Sequence, residues 1–119
     1  TIAVLGLTFK PNTDDMRDAP ALVIVPYLQQ AGATVRAFDP EGHKEAAKHL
    51  ALDFAADTYD ALAGADGVVI LTEWNEFRAL DLDRVKQALK APIMVDLRNI
   101  YRPAQMAEAG FRYTSVGRP

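Results

Sequence analysis

The sequence predicts an α/β domain: a three-layer, doubly wound parallel sheet of about five strands with helices on both faces. Two kinds of observation favour this fold. Short and continuously apolar runs, such as residues 2–5 and 68–71, are typical of strands that are covered on both faces. These runs alternate with segments of helical character, and such alternation indicates right-handed crossovers between parallel strands.

The first half of the chain contains two predicted strands and a composite crossover. The first strand covers residues 2–5 and is closed by Gly6. Asp18 or Ala19 is expected to cap a helix that runs to Gly32, and Pro26 should produce a kink or a wide turn within it. The next elements are a strand over residues 34–38, a polar helix over 41–50, a weak strand-like stretch over 52–54 and a short helix over 59–63.

The second half of the chain completes the predicted sheet. Residues 68–71 form the clearest buried strand and end in Thr72-Glu73-Trp74. The later elements are a helix over 82–89, a strand over 93–95 that ends in Asp96-Leu97-Arg98-Asn99, a helix over 103–109 and a closing strand over 111–116. The sequence has no repeat, no low-complexity segment and no internal linker. Residues 1–119 are therefore predicted to form a single domain.

Composition restricts the possible functions. The net charge of -3, with acidic and basic residues interspersed, disfavours nucleic acid as a partner. The absence of cysteine excludes disulfides, thiolate metal sites and a cysteine nucleophile in this chain. No apolar run is long enough to span a bilayer, so we expect a soluble, cytoplasmic protein with no membrane partner. The chain starts at Thr1, already within a strand pattern, and a missing N-terminal part is expected.

Charged residues follow several of the predicted strands. Lys10 and Arg17 follow the first strand, Asp39 follows the second, and Arg98 follows the fourth. Because the carboxyl ends of parallel strands meet at one edge of the sheet, where ligands bind, these residues should lie along that edge. Arginine can hold a phosphate with two parallel hydrogen bonds, and lysine acts as a movable charge. The pattern favours an anion site, with a diphosphate as the natural ligand.

Simpler interpretations of the same residues remain open. Lys10 alone could be a solvated surface charge, and Arg17 could pair with Asp14 or Asp18. The dipeptide Asp39-Pro40 is most often only a turn. Arg98 is less easily explained in this way, because it follows a strand that points at the binding edge.

The first loop lacks the standard dinucleotide cradle. That motif requires three spaced glycines after the first strand and an acidic residue about 20 residues further on. Only Gly6 is present here, and Asp39 lies too far along the chain. We therefore expect a Rossmann-like sheet whose first loop is rebuilt around Lys10. It should bind a different anion, or the same anion in a different way.

The sequence gives no support for a metal site. His43 and His49 are six residues apart, a spacing that does not place them on one face of a helix. The acidic cluster at residues 14, 15 and 18 lacks the alternating spacing and the central glycine of a calcium loop. Both groups are interpreted as surface features.

Four motifs together resemble a known family. GLTFKPNTDDMRDAPA, FDP, VVILTEWNEF and VDLRNIY occur in the order found in the C-terminal, UDP-binding domain of the UDP-glucose/GDP-mannose dehydrogenase family. The resemblance covers essentially the whole chain. It implies that Phe9, Lys10 and Arg98 contact a UDP-sugar and that Arg17 reaches across an interdomain cleft to NAD. It also implies that an N-terminal NAD-binding domain and a long central helix are absent from this chain.

The resemblance implies a reaction as well. Family members oxidise the sugar C6 alcohol to a carboxylate by two hydride transfers to NAD, through a covalent adduct with a cysteine. This chain has no cysteine, so it should hold no catalytic residue and should be inactive alone. TEWNEF and DLRNIY resemble the UDP-glucose branch most, which implies UDP-glucuronate as product, a role in polysaccharide biosynthesis and a homodimeric complete enzyme. The GDP-mannose and UDP-N-acetylmannosamine branches remain alternatives.

A stand-alone nucleotide-binding or signalling module with a receiver-like sheet is the alternative from another class. Such a module places an acidic pair directly after its first strand and a phosphoacceptor aspartate at the end of the third. Here Asp14 and Asp15 come well downstream of the first strand, and the third strand ends in Thr72-Glu73. These positions disfavour the alternative.

Overall fold

One six-stranded sheet runs through the domain, and all of its strands are parallel. The computed structural model describes residues 1–117; residues 118–119 of the predicted domain lie outside the described residues. The strands are β1 (Ile2–Leu5), β2 (Val35–Phe38), β3 (Asp53–Phe54), β4 (Gly67–Ile70), β5 (Ile93–Asp96) and β6 (Arg112–Ser115). Their order is β3-β2-β1-β4-β5-β6, the order of Rossmann sheets. This confirms the predicted fold class, whereas a receiver-like sheet would have the order 2-1-3-4-5.

Helices cover the two faces of the sheet. They are α1 (Ala21–Gln30), α2 (His43–Ala46), α3 (Thr58–Leu62), α4 (Asn75–Arg78), α5 (Leu82–Ala88) and α6 (Pro103–Glu108). Strand β1 is continuously apolar because its side chains enter the hydrophobic cores on both faces of the sheet. Ala3 and Leu5 belong to the core that contains α3, α5 and α6, whereas Val4 belongs to the core that contains α1 and α2. Successive side chains of a strand point to opposite faces, and here both faces are buried. No helix in the described part of the chain is long and apolar enough to cross a membrane.

Three elements differ from the predicted sheet and crossovers. The weak stretch at 52–54 forms a sixth strand, β3, which pairs only through Asp53 and Phe54 with β2. It is an edge strand with an exposed aspartate, so its apolar pattern is poor. Helix α4 was not predicted, because it has four residues and buries one large apolar side chain, Phe77. The polar helix predicted over 41–50 is limited to α2.

The start of α1 also differs from the prediction. Asp18 has a φ of 56°, in the left-handed region, and neither it nor Ala19 caps the helix. Pro20 occupies the N-cap position without a side-chain cap. Of the kink or wide turn predicted at Pro26, the wide turn is wrong, since α1 continues through Pro26 as one helix, and the kink stays a prediction. Val25 is fully buried, and packing of this face outweighs the lost backbone hydrogen bond.

Gly6 permits a close approach between the segments that follow β1 and β4. Its φ is +93°, and a Cβ built on it would lie 2.5 Å from Cβ of Thr72. The Thr72 hydroxyl donates to the carbonyl of Thr8 over 2.7 Å. The two segments that leave the central strands are therefore in direct contact, and only glycine fits between them.

We expect Gly6→Ala to destabilise the domain more than an alanine substitution at a glycine that has the same backbone cost but no steric clash. Gly64 is the matched control, because its φ is +74° but a Cβ there meets nothing within 4 Å. Gly64→Ala should lower the free energy of unfolding by about 1–2 kcal/mol. Gly6→Ala should cost about 1–3 kcal/mol beyond that, from overpacking against Thr72. Urea unfolding of both variants measures the difference, and equal losses would contradict the steric explanation.

Candidate anion-binding site

The candidate site lies at the edge of the sheet where β1, β2, β4 and β5 end. We call this the carboxyl edge and define it as the segments 6–18, 39–43, 71–74 and 97–101. The strand order reverses between β1 and β4, so the segments that follow these two strands leave toward opposite faces. A crevice at such a reversal is the usual ligand position in open parallel sheets.

Asp39 joins three segments of the carboxyl edge through one carboxylate oxygen. Its side chain is buried, and its Oδ2 accepts hydrogen bonds from the backbone N–H groups of Leu7 (2.8 Å) and Thr8 (3.1 Å). The same oxygen accepts from Oγ1 of Thr8 at 3.0 Å and from Nε1 of Trp74 at 3.2 Å. The segments after β1, β2 and β4 are therefore held together at one point.

The other oxygen of Asp39 organises its own turn. Oδ1 accepts from the backbone N–H groups of Glu41 (2.9 Å) and Gly42 (2.8 Å). The backbone N–H of Asp39 donates to Nε2 of His43 over 3.0 Å. Asp39 lies at the predicted edge and does begin a turn, but sequence reasoning missed its main use. Its carboxylate binds the protein's own backbone rather than facing outward.

Asp96 plays a similar part at the end of β5. It is fully buried, and its Oδ1 accepts from the backbone N–H of Arg98 at 3.1 Å. Its Oδ2 accepts from the backbone N–H groups of Ile100 (2.8 Å) and Tyr101 (3.0 Å) and from the hydroxyl of Tyr113 (2.6 Å). These bonds fix the segment that carries Arg98. An acidic residue that ends an apolar strand was the sequence signal for it.

Arg98 lies at the carboxyl edge, as predicted, and is held by Glu73. Nε of Arg98 is 3.0 Å from Oε2 of Glu73, and Nη2 is 3.1 Å from Oε1. The two side chains are 30% and 28% exposed, so the pair is partly screened from water but reachable. Parallel hydrogen bonds of this kind fix the plane of the guanidinium group.

Phe9 and Lys10 lie on the outer part of the segment after β1. Phe9 is 44% exposed, and its backbone N–H donates to the carbonyl of Asp15 over 2.8 Å. The carbonyl of Lys10 accepts from Oγ1 of Thr8 at 3.2 Å, which anchors its backbone. Lys10 is exposed, and no carboxylate of the described residues forms an ion pair with it. Its ammonium group is therefore available to an anion.

Arg17 pairs within its own loop, but not with the partners considered from the sequence. Its Nη2 is 2.9 Å from Oδ2 of Asp15, and its side chain is 88% exposed. Hydrogen bonds from Arg17 lower the pKa of Asp15 to about 2. The residue borders a cavity of about 500 Å³ that is also lined by Asp14, Asp15 and Glu45. These carboxylates make the cavity unsuited to a diphosphate.

A chain of contacts joins the first loop to Arg98. The carbonyl of Thr8 accepts a hydrogen bond from the hydroxyl of Thr72. Glu73, which follows Thr72, pairs with Arg98. The structure therefore links the Lys10 segment and Arg98 through the segment after β4, whereas Arg17 takes no part in these contacts. Among residues 1–117, no group of three histidine or acidic side chains is placed to hold a metal ion.

We expect Asp39→Asn to destabilise the domain by about 3 kcal/mol. An amide offers only one acceptor oxygen, so its NH2 group would face donors that now bind a carboxylate. Asp53→Asn is the control, because Asp53 is an exposed residue of β3 and should change the free energy of unfolding by less than about 0.5 kcal/mol. Urea unfolding at neutral pH provides the measurement. Equal losses in the two variants would show that the Asp39 contacts do not hold the edge together.

His43 should make stability depend on pH. Burial lowers its pKa, opposed in part by the Asp39 charge, and Nε2 must stay unprotonated to accept the Asp39 N–H. Because the folded pKa lies below the unfolded one, the unfolded chain binds the proton more readily. The free energy of unfolding should therefore fall as pH drops below about 6.5.

Urea unfolding at about pH 7.5 and about pH 5.5 measures this dependence. His43→Gln should reduce it, and His49→Gln, which changes an exposed histidine, should keep it. A wild-type dependence that survives in His43→Gln would assign the effect to other groups.

Comparison with known proteins identifies the family. The profile of the UDP-glucose/GDP-mannose dehydrogenase family, UDP binding domain, matches residues 3–103. The chain is 63% identical over 119 residues to UDP-glucose 6-dehydrogenase from Rhizobium meliloti, covering 99% of this chain and 27% of that protein. The chain thus spans about a quarter of the length of the curated relatives it matches.

Two solved structures support the same assignment. A UDP-D-ManNAc dehydrogenase from Pyrococcus horikoshii superposes with a TM-score of 0.78 at 31% identity, over 98% of this chain and 25% of that one. A UDP-glucose dehydrogenase from Pyrobaculum islandicum gives 0.75 at 30% identity, over 95% and 24%. The fold, the order of the motifs and these matches lead to one conclusion: the chain belongs to the UDP-glucose/GDP-mannose dehydrogenase family and corresponds to its UDP-binding domain.

Proposed function

We propose that this chain is the UDP-sugar-binding domain of a longer NAD-dependent dehydrogenase that oxidises UDP-glucose to UDP-glucuronate. The observation that carries the proposal is the position of Lys10 and Arg98 at the carboxyl edge, in a domain whose family profile is described as UDP binding. Arg98 is partly exposed on a segment fixed by Asp96, and Lys10 is exposed on a segment fixed by Asp39 through Thr8.

The proposed roles follow from exposure and charge. Lys10 and Arg98 bind the diphosphate of the substrate, each contributing about 1.5–3 kcal/mol through charge-assisted hydrogen bonds. The half-exposed ring of Phe9 packs against an apolar part of the nucleotide sugar. Arg17 reaches NAD across the interdomain cleft, a role that the family resemblance implies and that its 88% side-chain exposure permits. The domain then acts by orientation: it holds the diphosphate so that the sugar meets the cofactor in a reactive geometry.

The rest of the reaction belongs to the rest of the enzyme. The family resemblance implies a cysteine nucleophile and an NAD site that lie mainly outside this domain, and this chain has no cysteine, so we propose that the part that relatives possess beyond this domain provides both. NAD accepts the hydrides in both oxidation steps when it is bound there. We propose that the complete protein contains an N-terminal NAD-binding domain and forms a cytoplasmic homodimer. Production of UDP-glucuronate would supply polysaccharide biosynthesis.

The choice of sugar is based on the sequence rather than on the fold. The UDP-D-ManNAc and UDP-glucose dehydrogenase structures superpose almost equally well, so the backbone does not discriminate between these substrates. The chain is 63% identical to the UDP-glucose 6-dehydrogenase from Rhizobium meliloti and 31% identical to the UDP-D-ManNAc dehydrogenase. UDP-N-acetylmannosamine and GDP-mannose are therefore the comparison substrates for any test.

A chimera tests the proposal. This chain replaces the corresponding 27% of the Rhizobium meliloti enzyme, and NADH formation is followed with UDP-glucose, UDP-N-acetylmannosamine and GDP-mannose. We expect activity with UDP-glucose above the other two. A folded chimera without UDP-glucose oxidation would contradict the function, and preference for another sugar would move the assignment to that branch.

In this chimera, Arg98→Ala should raise KM for UDP-glucose by at least about tenfold, through loss of a charge-assisted hydrogen bond. Arg112→Ala is the matched control, since Arg112 is an exposed arginine that pairs with Ile93 at the opposite edge of the sheet. It should leave KM unchanged. Arg17→Ala should raise the concentration of NAD required, and an unchanged NAD dependence would remove that role from Arg17.

A further inference from the structure

We infer that Glu73 is a positioning residue that orients Arg98 so that the outer end of its guanidinium group faces the anion. The inference rests on the proposed function, because it describes how the domain presents Arg98 to a diphosphate. Glu73 does not contact the ligand in this arrangement. It acts through the side chain that does.

The hydrogen bonds of the pair determine which N–H groups remain. A guanidinium group has five N–H donors. Glu73 takes one on Nε and one on Nη2 of Arg98, at 3.0 and 3.1 Å. Within residues 1–117, no hydrogen bond uses the two N–H groups on Nη1 or the second one on Nη2. The free Nη1 and Nη2 donors form the outer end of the fork, which can bind two phosphate oxygens side by side.

Both partners of this pair are attached to fixed backbone. Thr72, which precedes Glu73, is fully buried and bonds the carbonyl of Thr8 at 2.7 Å. Trp74, which follows it, is buried and donates to Asp39. The backbone N–H of Arg98 is bound to buried Asp96. The ion pair therefore connects two rigid strand ends, and this rigidity allows a carboxylate to set the direction of a long, flexible side chain.

Electrostatics alone predicts the opposite role for Glu73. A carboxylate beside an anion site repels the ligand, so its removal should strengthen UDP binding. Positioning predicts weaker binding on removal, because a released arginine regains rotamer freedom that the ligand must then restrict. The two explanations differ in the sign of one measured change, which makes them separable.

The test is calorimetric titration of the chimera with UDP. Glu73→Ala should weaken UDP binding about three- to tenfold, the cost of ordering one long side chain. Glu73→Gln should lose less, because its amide oxygen can still accept from one arginine N–H. In the Arg98→Ala background, Glu73→Ala should cause no further loss. Glu108→Ala, which changes an exposed glutamate on α6, is the matched control and should leave UDP binding as in the wild-type chimera.

Steady-state kinetics adds a second measurement. Glu73→Ala should raise KM for UDP-glucose with little change in kcat, since a weakened diphosphate contact is the same in the bound substrate and in the transition state. Urea unfolding establishes that each variant is folded. If Glu73→Ala is unfolded, Glu73→Gln remains the test. It should weaken UDP binding in part on its own, and it should cause no further loss of UDP binding in the Arg98→Ala background.

The outcomes separate the inference from the proposed function. Unchanged or tighter UDP binding in Glu73→Ala would overturn the positioning role, and tighter binding would show that Glu73 competes with the ligand for Arg98. Wild-type affinity in Arg98→Ala would instead remove Arg98 from the site. A wild-type chimera that does not bind UDP would overturn the proposed function and the inference with it.

Discussion

The carboxyl edge depends on the buried carboxylate of Asp39. Its two oxygens accept six hydrogen bonds, five from the segments after β1 and β2 and one from Trp74 after β4. Burying a charge is costly unless donors satisfy it, so this arrangement is stable only when all of these segments are in place. The constraint works in both directions: the carboxylate orders the segments, and the ordered segments make its burial possible.

This constraint explains why the domain has a Rossmann sheet without a glycine-rich cradle. In that cradle, backbone N–H groups after β1 face a pyrophosphate. Here the N–H groups of Leu7 and Thr8 donate to Asp39, which directly follows β2. The donors that would bind a phosphate are thus occupied by the protein's own anion. In the proposed site an anion is bound by side chains, and the lysine and arginine side chains on the carboxyl edge are those of Lys10, Arg17 and Arg98, all exposed or partly exposed.

Most of the sheet could be predicted from sequence, because buried parallel strands are apolar on both faces. The runs at 2–5 and 68–71 show this directly. Strand β3 escaped a firm prediction, since an edge strand needs only one buried face and Asp53 breaks the pattern. The partners of individual side chains were harder to predict. The bond between Arg98 and Glu73 joins residues 25 apart in sequence, and periodicity contains no information on such pairs.

The proposed site combines one fixed cation and one movable cation, and this combination suits a ligand with two phosphate groups. Arg98 has its backbone held by Asp96 and its side chain held by Glu73, so it presents donors at a set position. Lys10 has an anchored backbone, but its ammonium group is exposed and has no ion-pair partner among the described residues. A fixed fork can set the register of one phosphate, while a point charge on a flexible stem adjusts to the other. The buried acids stabilise the edge, and in the proposed function the cations that they leave exposed bind the diphosphate.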